Sequence, residues 1–185
     1  MKLNVTSRKA AKKSESNQMR RQGLVPAVIY KKGEASETIA IDAKEFSTLL
    51  RGVKQGHLAT TKFELVEGGK TRLAIIKDIQ YNPINYDVIH IDFELLDDKI
   101  QINVNIPIEF TGVADCVGVK LGGVIRQVIR GLRVRCFPKD MPESFTLDVK
   151  NMSMKDCKRL KDLDIPNTVR PLTDLNEVVV VIAKR

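Results

Sequence analysis

Tryptophan is absent from this 185-residue chain, and aromatic residues make up only 5% of it. A sugar-binding platform or an aromatic cage is disfavoured, because both are built from several rings. Cysteine is scarce. Cys116, Cys136 and Cys157 are an odd number, twenty and twenty-one positions apart, which suits neither a disulfide framework nor a CxxC metal clamp. All three are expected to be reduced packing residues. Only two histidines occur, His57 in a glycine-containing turn and His90, and no cysteine or second histidine stands at ligand spacing to either. No metal or cofactor is therefore expected. There is no nucleophile elbow and no GxxxxGKS/T loop. The glycines of 118–123 lack a well-capped helix after them and read as turns between strands, not as a phosphate cradle. An enzyme with a small-molecule substrate finds no candidate chemistry here. Long apolar runs are missing too: nothing approaches the ~18 residues of a membrane span, and no apolar segment with a small-residue cleavage site opens the chain. A cytoplasmic protein without membrane contact is expected.

Acid is the other shortage, and it is local. Residues 1–33 hold nine Lys and Arg against one acid, Glu15, a net of +8 that equals the formal charge of the whole chain. The remainder balances to zero, so the basicity is one device and not a property of the general surface. Basic residues in a connection are ordinarily just solvated, but this density against a single acid is the footprint of a phosphate backbone. Ser7, Ser14, Ser16, Asn17 and Gln18 are interleaved with the bases. They supply short donors to phosphate and sugar oxygens where a long side chain does not fit.

The hydrophobic 43% of the chain is mostly arranged for strands. Lys2 to Thr6, Leu24 to Tyr30 and Thr38 to Ile41 read as strands, with Pro26 tolerated only at an edge or bulge because it cannot donate to a ladder. The basic stretch between the first two is then a connection of about seventeen residues, long enough to be functional or unstructured. Asp42 to Glu45 resembles a capping box opening a helix, with Phe46, Leu49 and Leu50 inward and Gly52 at its end. Thr60 to Val66 and Thr71 to Ile79 form a hairpin around Gly68 and Gly69. In Asp87 to Phe93, Ile89, Ile91 and Phe93 alternate with His90 and Asp92, which leaves a polar face available for work. After Leu96 the pattern breaks at Asp97, Asp98 and Lys99, and strict alternation restarts from Ile100 to Phe110. The domain boundary is placed near residue 95, giving domains 1–95 and 96–185. Further strands follow at Leu132 to Cys136, Phe145 to Val149 and Val178 to Ile182, with a short helix expected around Ser153 to Leu160.

Two stretches carry a resemblance to a known family. The run SNQMRRQGLVPAVIY, Ser16 to Tyr30, is similar to the signature S-R-x-L-R-R-x-G-x-V-P-A-V-x-Y. Lys77 to Pro83, KDIQYNP, followed by His90-Ile91-Asp92-Phe93, resembles a second signature, K-D-V-Q-x-x-P then H-x-D-F. Both belong to the bacterial 5S-rRNA-binding large-subunit ribosomal proteins of the general stress protein Ctc family. Ile106 to Gly112, Gly118 to Val124 and Pro138 to Glu143 resemble the C-terminal domain of its two-domain members. The chain departs from the pattern at Gln18 and Tyr81, each in place of a frequent Arg, and at Lys31, in place of Gly. The resemblance implies a mainly β protein with a few short helices, an N-terminal RNA-binding β-barrel followed by a C-terminal β domain. It also implies 5S rRNA as partner, a place on the ribosome in the cytoplasm, and other ribosomal components as partners of the second domain.

Under that reading Arg8, Lys9, Lys12, Lys13, Ser16, Arg20 and Arg21 track phosphates from a loop that lacks fixed structure until RNA orders it. Gln80, His90 and Asp92 meet sugar or base edges from the sheet, since A-form RNA offers its 2′-hydroxyls across a wide minor groove. Tyr30 either stacks on a base or packs on the rim. Tyr81 hydrogen-bonds or stacks where relatives place a cation. Two rivals stay open at this level: a tRNA-binding module, and an adaptor whose basic segment meets an acidic protein.

Overall fold

A computed structural model describes residues 1–8 and 12–184. The described chain divides into two compact units, Met1–Ile100 and Gln101–Arg185. The expectation of a mainly β chain with an N-terminal barrel and a C-terminal β domain holds.

The first unit is a closed six-stranded barrel in the order β1-β3-β2-β6-β5-β4. Its strands are β1 (Lys2–Ser7), β2 (Leu24–Tyr30), β3 (Glu37–Asp42), β4 (Lys62–Glu67), β5 (Lys70–Tyr81) and β6 (Val88–Leu95). Alternation sends Leu3, Val5, Ile39, Ile41, Phe63, Leu65, Ile91 and Phe93 inward to one buried cluster. The rings of Phe63 and Phe93 meet edge to face, 6.3 Å apart, the arrangement favoured by aromatic quadrupoles. Each buried residue of this size stabilises the fold by about 1.5–3 kcal/mol. Glu67 pairs with Lys70 across the two-residue turn Gly68-Gly69, and both glycines have positive φ, as a type I′ hairpin demands. The α-helix α2 (Ala43–Gly52) sets Phe46 into the same core. Asp42 caps it by accepting from the amides of Lys44 and Glu45 at 2.7 and 3.0 Å. Only half of the expected capping box forms, because Glu45 Oε1 instead accepts from the Asn4 amide and side chain.

Two expectations are corrected here. The basic connection is not a loop over its whole length: Lys13–Arg21 form the α-helix α1. It lacks a buried stripe, so apolar periodicity did not reveal it. Its ends carry the signal instead, with Glu15 in the first turn, Arg20 and Arg21 in the last, and Gly23 just beyond at φ +80°. Those charges complement the helix dipole and the glycine supplies the left-handed stop. Second, Pro26 is neither at an edge nor at a bulge. It lies inside β2, paired with Ala40 of β3 on one side, while β6 runs along the other. The Ala43 amide donates to the Gly23 carbonyl at 2.9 Å, so odd residues of β2 bond toward β3 and even ones toward β6. The Pro26 nitrogen therefore faces the carbonyl of Ile89, which receives no ladder amide from it.

The second unit holds two sheets, ordered β10-β7-β9-β12 and β11-β13-β8. The strands are β7 (Ile102–Thr111), β8 (Gly123–Gln127), β9 (Gly131–Cys136), β10 (Phe145–Asp148), β11 (Cys157–Arg159), β12 (Arg170–Pro171) and β13 (Val178–Lys184), with the single-turn helix α3 (Val117–Lys120). Ile102, Val104, Ile106, Leu132, Val134, Cys136, Phe145 and Leu147 are buried, as are Val179, Val180 and Ile182. The helix expected around Ser153 to Leu160 is not there. Lys155 takes positive φ and its amide bonds to the Ile182 carbonyl, so pairing of β11 with β13 displaces helical bonding, and only a 3-10 turn follows at Leu160–Asp162. Cys116 and Cys136 are buried and unbridged, as expected, whereas Cys157 is exposed on β11. The strand's outward position, not packing, sets its surroundings.

Candidate nucleic-acid interface

The pleat of the barrel wall gathers several of the singled-out residues. With Val25, Ala27, Ile29, Ile91 and Phe93 buried, the intervening Val28, Tyr30, His90, Asp92 and Glu94 face outward. Register then sets Gln80 beside His90, Asp78 beside Asp92, Asp92 beside Val28 and Glu94 beside Tyr30. Tyr30, Gln80, His90 and Asp92 thus share one outward face of β2, β6 and β5.

That face is acidic. Asp78, Asp92 and Glu94 lie on it, and Lys77 Nζ meets Glu94 Oε2 at 2.9 Å. His90 Nδ1 lies 2.8 Å from Asp92 Oδ1, a contact that holds the ring and leaves Nε2 facing away from the carboxylate. Burial, and then the carboxylates of Glu94, Asp92 and Asp78, push the Tyr30 phenol up to about 12. It remains a protonated donor at neutral pH. Such a face repels phosphate and accepts hydrogen bonds from hydroxyl and amino groups.

The cations stand beside it, on α1 and the end of β1. Arg8 is held by its Nε to the Ile39 carbonyl at 2.9 Å, and its Nη1 reaches Ser16 Oγ at 3.5 Å. Burial and the neighbouring Arg20 hold its pKa below the usual arginine value. Arg20 Nη1 donates to Asn17 Oδ1 at 3.0 Å, and its Nε donates to the Ile89 carbonyl at 3.2 Å. This is the carbonyl facing Pro26, so the guanidinium stands in for the amide that proline lacks. It also brings the helix to the residue before His90. Lys12, Lys13 and Arg21 are exposed and form no ion pair with the described residues. Lys9 lies outside the described residues. Lys31 is occupied, with Glu34 at 2.7 Å and Asp97 at 3.2 Å. The cation at that departure from the family pattern is therefore neutralised.

Tyr81 ends β5 and is 47% exposed. It lines a cleft of about 640 Å³ with Arg20, Arg21, Lys44, Asn82 and Tyr86. The turn that follows is held by Asn82, whose Oδ1 accepts from the Ile84 amide. It projects Tyr86, 77% exposed at φ +57°, and Ile84, 89% exposed. Sequence reasoning missed Tyr86 and Lys44. They lie on different elements, and only the closed barrel brings them to Tyr81. Rings beside cations suit an unstacked base. Among the described residues no cluster of His, Cys, Asp and Glu has the form of a metal site, and no helix is long and apolar enough to cross a membrane.

Residues 3–93 match the model of the ribosomal L25p family, and residues 101–185 match that of the ribosomal protein TL5 C-terminal domain. The chain is 46% identical to the large ribosomal subunit protein bL25 of Chlamydia trachomatis serovar A, and 42% identical to the protein of that name from Chlamydia pneumoniae. Both alignments span 185 residues and the whole of each chain. With an N-terminal barrel, both halves matched in order and relatives aligned over the whole length, the chain belongs to the ribosomal L25p family.

Proposed function

We propose that this protein is a structural component of the large ribosomal subunit that binds 5S rRNA, with α1 on phosphates and the face of β2, β6 and β5 on sugars and base edges. The coarser part rests on family membership: it is a ribosomal protein, not an enzyme, and its place is the ribosome in the cytoplasm. The finer part rests on one observation, a basic helix standing against an acidic sheet face. Phosphates attracted to Lys12, Lys13, Arg20 and Arg21 are repelled by Asp78, Asp92 and Glu94. A duplex is thereby turned so that its minor groove meets the sheet. There the carboxylates accept from 2′-hydroxyls or guanine amino groups, His90 Nε2 meets a neighbouring polar edge, and Tyr30 donates. Tyr81 and Tyr86 offer rings to a base that leaves the stack. Binding of purified 5S rRNA, with tRNA as control, tests the assignment. Preference for 5S rRNA is expected. Equal affinity for tRNA, or competition by heparin but not by 5S rRNA, overturns it in favour of a tRNA module or an acidic-partner adaptor.

A further inference from the structure

Outside the barrel, the second unit carries arginines that form no ion pair with a carboxylate among the described residues. Along β9, Leu132, Val134 and Cys136 are buried, which leaves Arg133 and Arg135 on the outward face. Register sets Arg135 between Asn103 of β7 and Arg170 of β12. Arg133 stands beside Asn105 on one side, and on the other its carbonyl accepts from the Leu172 amide. Like charges directly opposite on neighbouring strands destabilise a sheet. Yet Arg133, Arg135 and Arg170 are all exposed, and none forms an ion pair with a carboxylate among the described residues. A local cost that no carboxylate among the described residues offsets points to an external compensation.

The neighbours are shaped for it. Asn103 Oδ1 accepts from Arg135 Nε at 3.0 Å, which steadies the guanidinium and leaves its two Nη groups without an acceptor among the described residues. Asn105 lies against Gly131, where a Cβ would come within 2.8 Å of its Oδ1. The face stays low beside the arginines and lets a backbone approach. Leu172 is the sole large apolar side chain in this grid, 42% exposed. A protein partner ordinarily finds an apolar or aromatic centre, whereas a polar, arginine-lined patch suits nucleic acid.

We propose that the outward face of β7, β9 and β12 is a second RNA-binding surface, on which Arg133, Arg135 and Arg170 grip phosphates of a segment other than the one the barrel holds. The full chain is saturated with 5S rRNA, and a labelled RNA duplex of arbitrary sequence is then titrated in. R133Q/R135Q/R170Q should bind the duplex roughly tenfold more weakly, with its log–log salt slope reduced by about 2 to 3, since each duplex phosphate contact contributes roughly 0.9. Its affinity for 5S rRNA should be unchanged, while R20A/R21A should show the reverse pattern. Unchanged duplex binding by the triple variant overturns the proposal. So does displacement of the duplex by poly-glutamate as effectively as by unlabelled duplex, which would make the occupant an acidic protein. A chain that ignores 5S rRNA, yet binds the duplex through these arginines, removes the barrel's proposed partner and leaves this surface standing.

Discussion

Arg20 and Arg21 are neighbours of identical chemistry with different obligations. Arg20 completes the hydrogen bonding of Ile89 opposite Pro26, while Arg21 has no ion pair with the described residues. Arg20→Ala should therefore lower stability by about 0.5–1.5 kcal/mol, the net worth of one hydrogen bond, and also weaken 5S rRNA binding. Arg21→Ala should weaken binding alone, and urea midpoints measured beside affinities separate the two. Equal midpoints would mean that the Ile89 carbonyl is served by water. Tyr30 gives a test by pH. Its phenol is pushed up to about 12 by burial and by Glu94, Asp92 and Asp78, from about 10 in an unfolded chain. The folded state thus holds this proton more tightly than the unfolded state. The resulting stability is fully present below about pH 10 and is lost as pH rises toward 12. Tyr30→Phe removes that titration, so the parent's urea midpoint should fall relative to the variant's between those limits. A constant difference would show a phenol with its ordinary pKa. That Pro26 cannot donate was legible in the sequence, but the carbonyl it faces and the carboxylate neighbours of Tyr30 were not, because they are facts of register.

At the scale of elements, legibility followed the kind of signal. Strands with one buried face, such as β9 and β10, announce themselves by alternation, and the Gly68-Gly69 hairpin by its turn residues. Helix α2 shows an apolar face and Asp42. Helix α1 shows neither, since none of its residues is buried, and a reading based on periodicity passes over it. The Ser153 to Leu160 segment fails the other way: locally acceptable as helix, it is claimed by the edge of β13. The helical form of α1 matters to the interface, because it fixes Arg20, Arg21, Lys13 and Ser16 relative to one another. Asn17→Pro should unwind it, as an interior proline costs a helix about 3 kcal/mol. The barrel should keep its far-ultraviolet strand signature, while 5S rRNA affinity falls and its salt slope flattens. Undiminished affinity would mean that charge density alone, in any conformation, suffices.

For the whole molecule, charge is distributed with the same economy. Residues 1–33 carry the +8, the barrel wall turns an acidic face outward beside them, and the second unit keeps three arginines on a separate sheet. The alternation of Arg133 and Arg135 was visible in the sequence, but Arg170 joins them only through the pairing of β12 with β9. The two signatures and most candidate RNA contacts fall within the first unit, so that unit should fold alone and keep the 5S rRNA affinity of the full chain. Where it is cut matters. The Leu96 amide donates to the Leu73 carbonyl, Asp97 accepts from Lys31 and from the Lys99 amide, and the Ile100 amide closes a turn on Asp97. Hydrogen bonds to the Lys99 amide and then to Lys31 hold the Asp97 carboxyl below its usual pKa, so these contacts favour its charged form at neutral pH. A fragment of residues 1–100 retains the set, and one of residues 1–95 deletes it beside Tyr30 and Lys31. Both should bind 5S rRNA. The shorter should melt several degrees lower, since each 1 kcal/mol lost shifts a domain of this size by roughly 4–8 °C. Equal melting temperatures would show that the barrel ends with β6, and a longer fragment that folds but ignores 5S rRNA would move the binding surface elsewhere in the chain.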